Sequence, residues 1–211
     1  MLNTHVQTIK NEVVRHVRIL GSIVALLWVI ELIDLLLGHR LDVYGIEPRT
    51  LVGLRNIFFA PLLHRGIWHL FANTFPFLIL GWFVMLRGVH EFFAVSLIVA
   101  LISGLGAWLF GASHTIHLGI SGVIFGYMGY LLLRGYFEQS ALALVLAVVT
   151  LFFYGGMLWG VLPTQPEVSW QGHLFGFVGG GLAAYRLTRQ ATRQANLQTS
   201  FQTIGSVLRR R

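Results

Sequence analysis

The chain has no cysteine, and charge is scarce: of 211 residues, 11% are Asp, Glu, Lys or Arg. The missing cysteine excludes disulfides, thiolate metal ligands and a cysteine nucleophile. A soluble domain usually carries about 25% charged residues. With half that charge, 55% hydrophobic residues and a mean hydropathy of +0.72, too little polar surface remains to coat a globule in water. A water-soluble enzyme, a disordered chain and a collagen-like fibre are excluded together. Negative charge is the scarcer sign, with 8 Asp and Glu against 15 Lys and Arg and a net charge of +7. Such a balance would suit nucleic acid. In a polytopic membrane protein, however, Lys and Arg collect on one side and set orientation. No nucleic-acid partner is expected; the partner is the lipid bilayer.

What the chain does have is apolar runs. A hydrocarbon core of ~30 Å takes ~20 residues per helix. The sequence predicts an all-α polytopic protein with six spans, near 19–37, 68–86, 92–110, 121–136, 141–161 and 171–187. Three regions result: a polar segment 1–18, a membrane domain 19–187 and a basic tail 188–211, read as mobile or surface-bound. The start has no short apolar stretch with a small-residue cleavage site, so no removable signal peptide is read. Residues 38–65, with Pro48 and Pro61, read as an ordered interfacial loop.

Six spans put both termini on one side. That side holds Lys10, Arg15, Arg18, Arg87, Arg134, Arg186, Arg189, Arg193 and Arg209 to Arg211, against Arg40, Arg49, Arg55 and Arg65 on the other. The positive-inside rule then places both termini in the cytoplasm; the membrane expected is a bacterial inner membrane. The segments 111–119 and 163–170 open outward with the long loop. Oligomeric state is not read from the sequence.

Span four is short: about 16 residues at 1.5 Å each reach only ~24 Å. The polar segment GASHTIHLG before it must then descend into the membrane. Irregular backbone at that depth is tolerated only inside protein or beside a water-filled cavity. The sequence therefore places Ser121, between Gly119 and Gly122, on the floor of a hydrated pit at a helix start. Ser121 there is either a nucleophile served by the helix N-terminus or a helix cap.

Span six opens with His173, followed at i+3 and i+7 by Gly176 and Gly180. Span four has Gly122, Gly126 and Gly129 on one face. Small-residue faces let helices approach closely in lipid, which would bring His173 to Ser121 as a general base. Gly122 and Gly126 are expected to face span six, and Leu131 the lipid. His69 and Asn73, at i and i+4, share a face of span two and are suited to donate to an oxyanion; interhelical hydrogen bonding is the plainer use. His64, His69, His114 and His117 could crowd on the outer side, but without HExxH a metalloprotease has no support. No metal or cofactor is expected. Glu31 and Asp34 share a face of span one and are expected to be solvated near the outer edge, a proton relay being the sharper alternative.

Three motifs occur together in order: His64-x4-His69-x3-Asn73, the stretch Gly119-Ile120-Ser121-Gly122, and GHxxGxxxG over 172–180. The chain resembles the rhomboid intramembrane serine proteases over roughly residues 55–187. The resemblance implies a six-transmembrane-helix rhomboid-like bundle with a short central helix four. It implies a serine endopeptidase that cuts transmembrane protein substrates with a Ser121–His173 dyad. The oxyanion hole would comprise the His69 and Asn73 side chains and the Ser121 N–H, with His64 in support. Substrate would enter from lipid past span five, with small residues at the cleavage position. No acidic third member is implied, and Glu167 belongs to an outer loop. Phe125 stands where the family often has tyrosine, and Arg55-Asn56 where many members have Trp-Arg. Two alternatives are a relative that binds membrane clients without cutting them and a small transporter, for which no inverted repeat speaks.

Overall fold

The structure is a computed structural model that describes residues 2–164 and 168–208. Glu167 and Arg209 to Arg211 lie outside the described residues. Among those described, seven α-helices follow in order: α1 (Leu2–Leu36), α2 (Leu51–Asn56), α3 (Ile67–Met85), α4 (Val89–Phe110), α5 (Ser121–Glu138), α6 (Ala141–Tyr154) and α7 (Trp170–Leu208). No strand forms among them; the only β pairing is a single antiparallel bridge between Ile46 and His117.

Four helical segments are long and apolar enough to cross a membrane: Val6–Leu36, Ile67–Met85, Val89–Phe110 and Ala141–Val161. The protein is thus an integral membrane protein. The expected spans four and six are not distinguished by length and hydropathy. They correspond to α5, which forms the interior of the bundle, and to the first half of α7, which packs against it. Every residue of α5 from Gly122 to Leu131 is buried, between α3, α4, α6 and α7. A helix enclosed by other helices needs no lipid-facing apolar surface, so glycines replace long side chains along it.

The glycines set the α5–α7 distance. A Cβ on Gly176 or Gly180 would overlap the carbonyl oxygen of Gly122 or Gly126, and one on Gly129 would overlap that of Phe177. Backbone thus meets backbone. Gly122 and Gly126 do meet the sixth span, against the expected counterparts Gly176 and Gly180, but through their backbone carbonyls. Their vacant Cβ positions point at Ser103 and Val99 of α4, and it is Gly129 that points at α7. A third helix, α4, closes against the same pair and takes that face. Leu131 is also corrected: it is 1% exposed and lies in the core, not against lipid.

Both long helices exceed the expected spans. α1 begins at Leu2 and α7 runs on to Leu208. Residues 188–208 lack proline and are rich in Gln, Arg, Ala and Thr, so nothing stops a helix already nucleated in the bundle. The described part of the tail 188–211 is continuous helix. Arg134, counted with the basic residues on the side of the termini, is 3% exposed. Its Nε donates to Glu138 at 2.6 Å, while Tyr130 donates to Glu91 one turn away.

The loop 38–66 is ordered and clamps the segment that leads to Ser121. Asn56, fully buried, donates through Nδ2 to the carbonyls of Val43 and Gly45 at 3.2 and 2.9 Å. Arg55 donates in turn to Asn56 Oδ1. Arg49 reaches the carbonyls of Leu109 and Gly111 and the Ser113 hydroxyl. The Gly119 N–H donates to the Ala60 carbonyl at 2.9 Å. This chain therefore anchors its loop with Arg49, Arg55 and Asn56.

Candidate active site

Segment 112–116 is exposed, 117–119 is half-buried and Ile120 is buried, so the chain descends into the bundle as it approaches α5. Gly119 turns it with φ +116°, a value L side chains rarely adopt. Ser121 is then the first residue of α5, with Ile120 at the cap position and no side-chain cap bond. The capping role is therefore not the one it fills. Its Oγ lies 2.8 Å from His173 Nε2.

His173 sits in the first turn of α7 and is 9% exposed. Its Nδ1 lies 3.0 Å from the carbonyl oxygen of Gly160. A carbonyl only accepts, so Nδ1 carries the proton and Nε2 presents its lone pair to the serine hydroxyl. The Phe125 ring lies parallel to the imidazole, at 4.0 Å between centroids and 9° between planes. Phe125 is one turn below Ser121 on α5, so the same helix supplies hydroxyl and stacking ring. Gly160, in the 3-10 segment after α6, was not foreseen. A backbone carbonyl has no side-chain signature, and glycine there leaves room: a Cβ would come within 2.8 Å of the Phe125 ring.

His69 and Asn73, on the first two turns of α3, line with Ser121, Phe125 and His173 a cavity of about 1180 Å³. His69 Nδ1 accepts from the Arg65 backbone N–H at 3.3 Å. Its Nε2 therefore bears hydrogen, next to Gly119. Asn73 is 8% exposed, and its Nδ2 is buried without a hydrogen-bond partner, a donor held in reserve beside the serine. Two unspent donors and a polarised hydroxyl around one cavity suit an acyl-transfer reaction, whose intermediate develops negative charge on oxygen.

His64 is 1% exposed. Its Nε2 accepts from the Ile120 N–H at 3.4 Å, and its ring meets the edge of His69 at 5.3 Å. It supports the turn before Ser121 without touching it. Burial, with a smaller contribution from His69, holds its pKa down to about 3, so it stays neutral. His117 bonds Ser169 at 2.6 Å and Thr115 at 2.9 Å, tying the descending segment to the start of α7. The four histidines His64, His69, His114 and His117 do not form a metal cluster among the described residues. Gly176 and Gly180 lie further along α7 and act through the helix contact.

An all-helical membrane protein that buries a serine–histidine pair at two facing helix starts belongs to a narrow class. The chain matches the Rhomboid domain family over residues 53–190 and belongs to that family. It is 46% identical to an uncharacterized protein of Mycobacterium tuberculosis over 175 residues, 79% of this chain and 73% of the relative. It is 42% identical to an uncharacterized protein of Mycobacterium leprae over 175 residues, 79% of this chain and 69% of the relative. A protein of Acanthamoeba polyphaga mimivirus named as a putative rhomboid protein is 31% identical over 134 residues, 59% of this chain and 70% of the relative.

Proposed function

We propose that the protein is an intramembrane serine endopeptidase that cuts transmembrane or membrane-adjacent segments of other membrane proteins. The observation that carries this reading is the 2.8 Å contact between Ser121 Oγ and a His173 whose other nitrogen is held by Gly160. Ser121 attacks the scissile carbonyl while His173 Nε2 takes its proton. The growing imidazolium is stabilised by its Nδ1–H bond to the Gly160 carbonyl. His69 Nε2–H, Asn73 Nδ2–H and the Ser121 backbone N–H receive the oxyanion. His173 returns the proton to the leaving amine, and a water from the cavity then repeats the sequence on the acyl-enzyme.

The reading includes a cytoplasmic position for both termini in a bacterial inner membrane, with the cavity opening outward. Substrate passes α6 and the 3-10 segment after it, where Phe152, Phe153 and Trp159 are exposed, and small residues suit the cleavage position. Labelling of the purified protein with a fluorophosphonate tests the mechanism. One equivalent should be incorporated by the wild type and none by Ser121→Ala. Cleavage of a transmembrane test substrate at the wild-type rate by Ser121→Ala would sink the serine mechanism.

A further inference from the structure

Glu31 and Asp34 were expected to be solvated, and the structure corrects this: each is 1% exposed. The chain folds back over the end of α1, where Gly38 and His39 both take left-handed φ values, +66° and +60°. The fold-back carries residues 39–42 over the two carboxylates. Asp34 Oδ1 accepts from the Leu41 N–H at 2.7 Å. Asp34 Oδ2 has no hydrogen-bond partner and points toward His39, whose Nδ1 is 3.5 Å away. Asp42 brings a third group, with Oδ1 also buried and without a hydrogen-bond partner. One donor atom each from Asp34, His39 and Asp42 lies within 4.8 Å of the others. Glu31, one turn earlier on α1, has both oxygens buried without a hydrogen-bond partner and faces the Gly66 backbone amide.

We propose that Asp34, His39 and Asp42 bind a divalent cation of the zinc class at the end of α1. Buried carboxylate oxygens are paired or hydrogen-bonded in a stable fold, or they coordinate a metal. Here two carboxylates converge with a single imidazole, and a third, Glu31, lies one turn earlier on α1. No ion pair joins Arg65 to Asp42 among the described residues; the Arg65 Nη2 donates to the Ile116 carbonyl at 3.1 Å. A divalent ion would supply at Asp34 Oδ2 the positive charge that the exposed His39, 3.5 Å away, supplies only when protonated. The donor set selects the ion. Two carboxylate oxygens and one imidazole nitrogen, with one position open to water from the exposed His39 side, match zinc. Calcium wants six to eight oxygens, and magnesium keeps its water shell.

The ion would join the end of α1 to the turn that covers it. Glu31 extends the negative field to Gly66, which caps α3, the helix that carries His69 and Asn73. The site would therefore hold the outer end of α1 against the start of α3. This inference does not rest on the protease reading.

The test is isothermal titration of ZnCl2 into tag-free full-length protein in detergent, after chelator treatment, with MgCl2 and CaCl2 run alongside. One equivalent of zinc should bind, raise the Tm and resist competition by millimolar magnesium. Asp42→Asn and His39→Gln should each weaken zinc at least about tenfold, the scale seen even for outer-shell losses. His39 is exposed, so His39→Gln remains informative if Asp42→Asn fails to fold. Absence of saturable zinc binding would overturn the site. So would zinc binding that survives both substitutions, which assigns the ion to another histidine, and so would calcium or magnesium binding as tightly as zinc.

Discussion

Phe125 holds the imidazole by stacking, while the Gly160 carbonyl holds it by a hydrogen bond, and only the stacking can be removed by a side-chain change. Phe125→Leu keeps the site apolar but loses the flat surface. A misplacement of ~1 Å can cost about 10² in rate. Turnover should fall about 10- to 100-fold while the Tm changes little. On the proposed mechanism, Asn73→Ala removes one oxyanion donor and should lower kcat about 10²–10³-fold, leaving fluorophosphonate-reactive Ser121 in place. A pH effect belongs to His64. Its folded pKa is about 3, below the ~6.5 of an unfolded histidine. The unfolded chain then binds the extra proton first, so stability is full above pH 6.5 and declines as pH falls toward 3. Thermal unfolding across that window should show the decline, and His64→Gln should make it shallower.

Among the elements, the α5–α7 contact and the α5–α4 contact are distinguishable. Gly180→Val would place a branched side chain against the Gly126 carbonyl, and backbone does not rotate away as a side chain does. Gly126→Val would meet Val99 of α4 instead. Overpacking costs about 1–3 kcal/mol, so both should lower the Tm. Gly180→Val, which separates the helices bearing Ser121 and His173, should lose more turnover than Gly126→Val. Val148→Leu, on the exposed side of α6, should be silent in both assays. Equal loss from the two glycine variants would sink the distinction. In the loop, Asn56→Ala would strip the Val43 and Gly45 carbonyls of their donor. Buried polar groups left unpaired cost about 1–3 kcal/mol, and a matching drop in stability should appear on chemical denaturation.

For the whole molecule, the distribution of Lys and Arg predicts that both termini share the cytoplasm. Reporter fusions at His5 and after Arg211 should both give cytoplasmic signals, and an external signal from either would overturn the six-span topology. Arg134 does not weaken the charge asymmetry. It is buried, but with Arg87, Glu91 and Glu138 it sits at the bundle end opposite Ser121.

Composition alone determined that this chain lives in a membrane, because charge and hydropathy are sums that need no geometry. Local order likewise showed a serine at a helix start, a histidine at another and glycines along two helices, since helical period and turn chemistry act over a few residues. The tertiary structure decided what lies across space. Gly122 and Gly126 turn their open faces to α4 because a third helix, distant in sequence, packs there. Leu131 is core because α5 is surrounded, which its own apolar pattern does not reveal. The Gly160 carbonyl orients His173, yet every residue has a carbonyl and only the fold selects one. Glu31 and Asp34 are sealed from solvent by a turn whose path depends on left-handed residues at 38 and 39. Each of these outcomes depends on which helices meet, and that pairing is set by contacts between residues far apart along the chain.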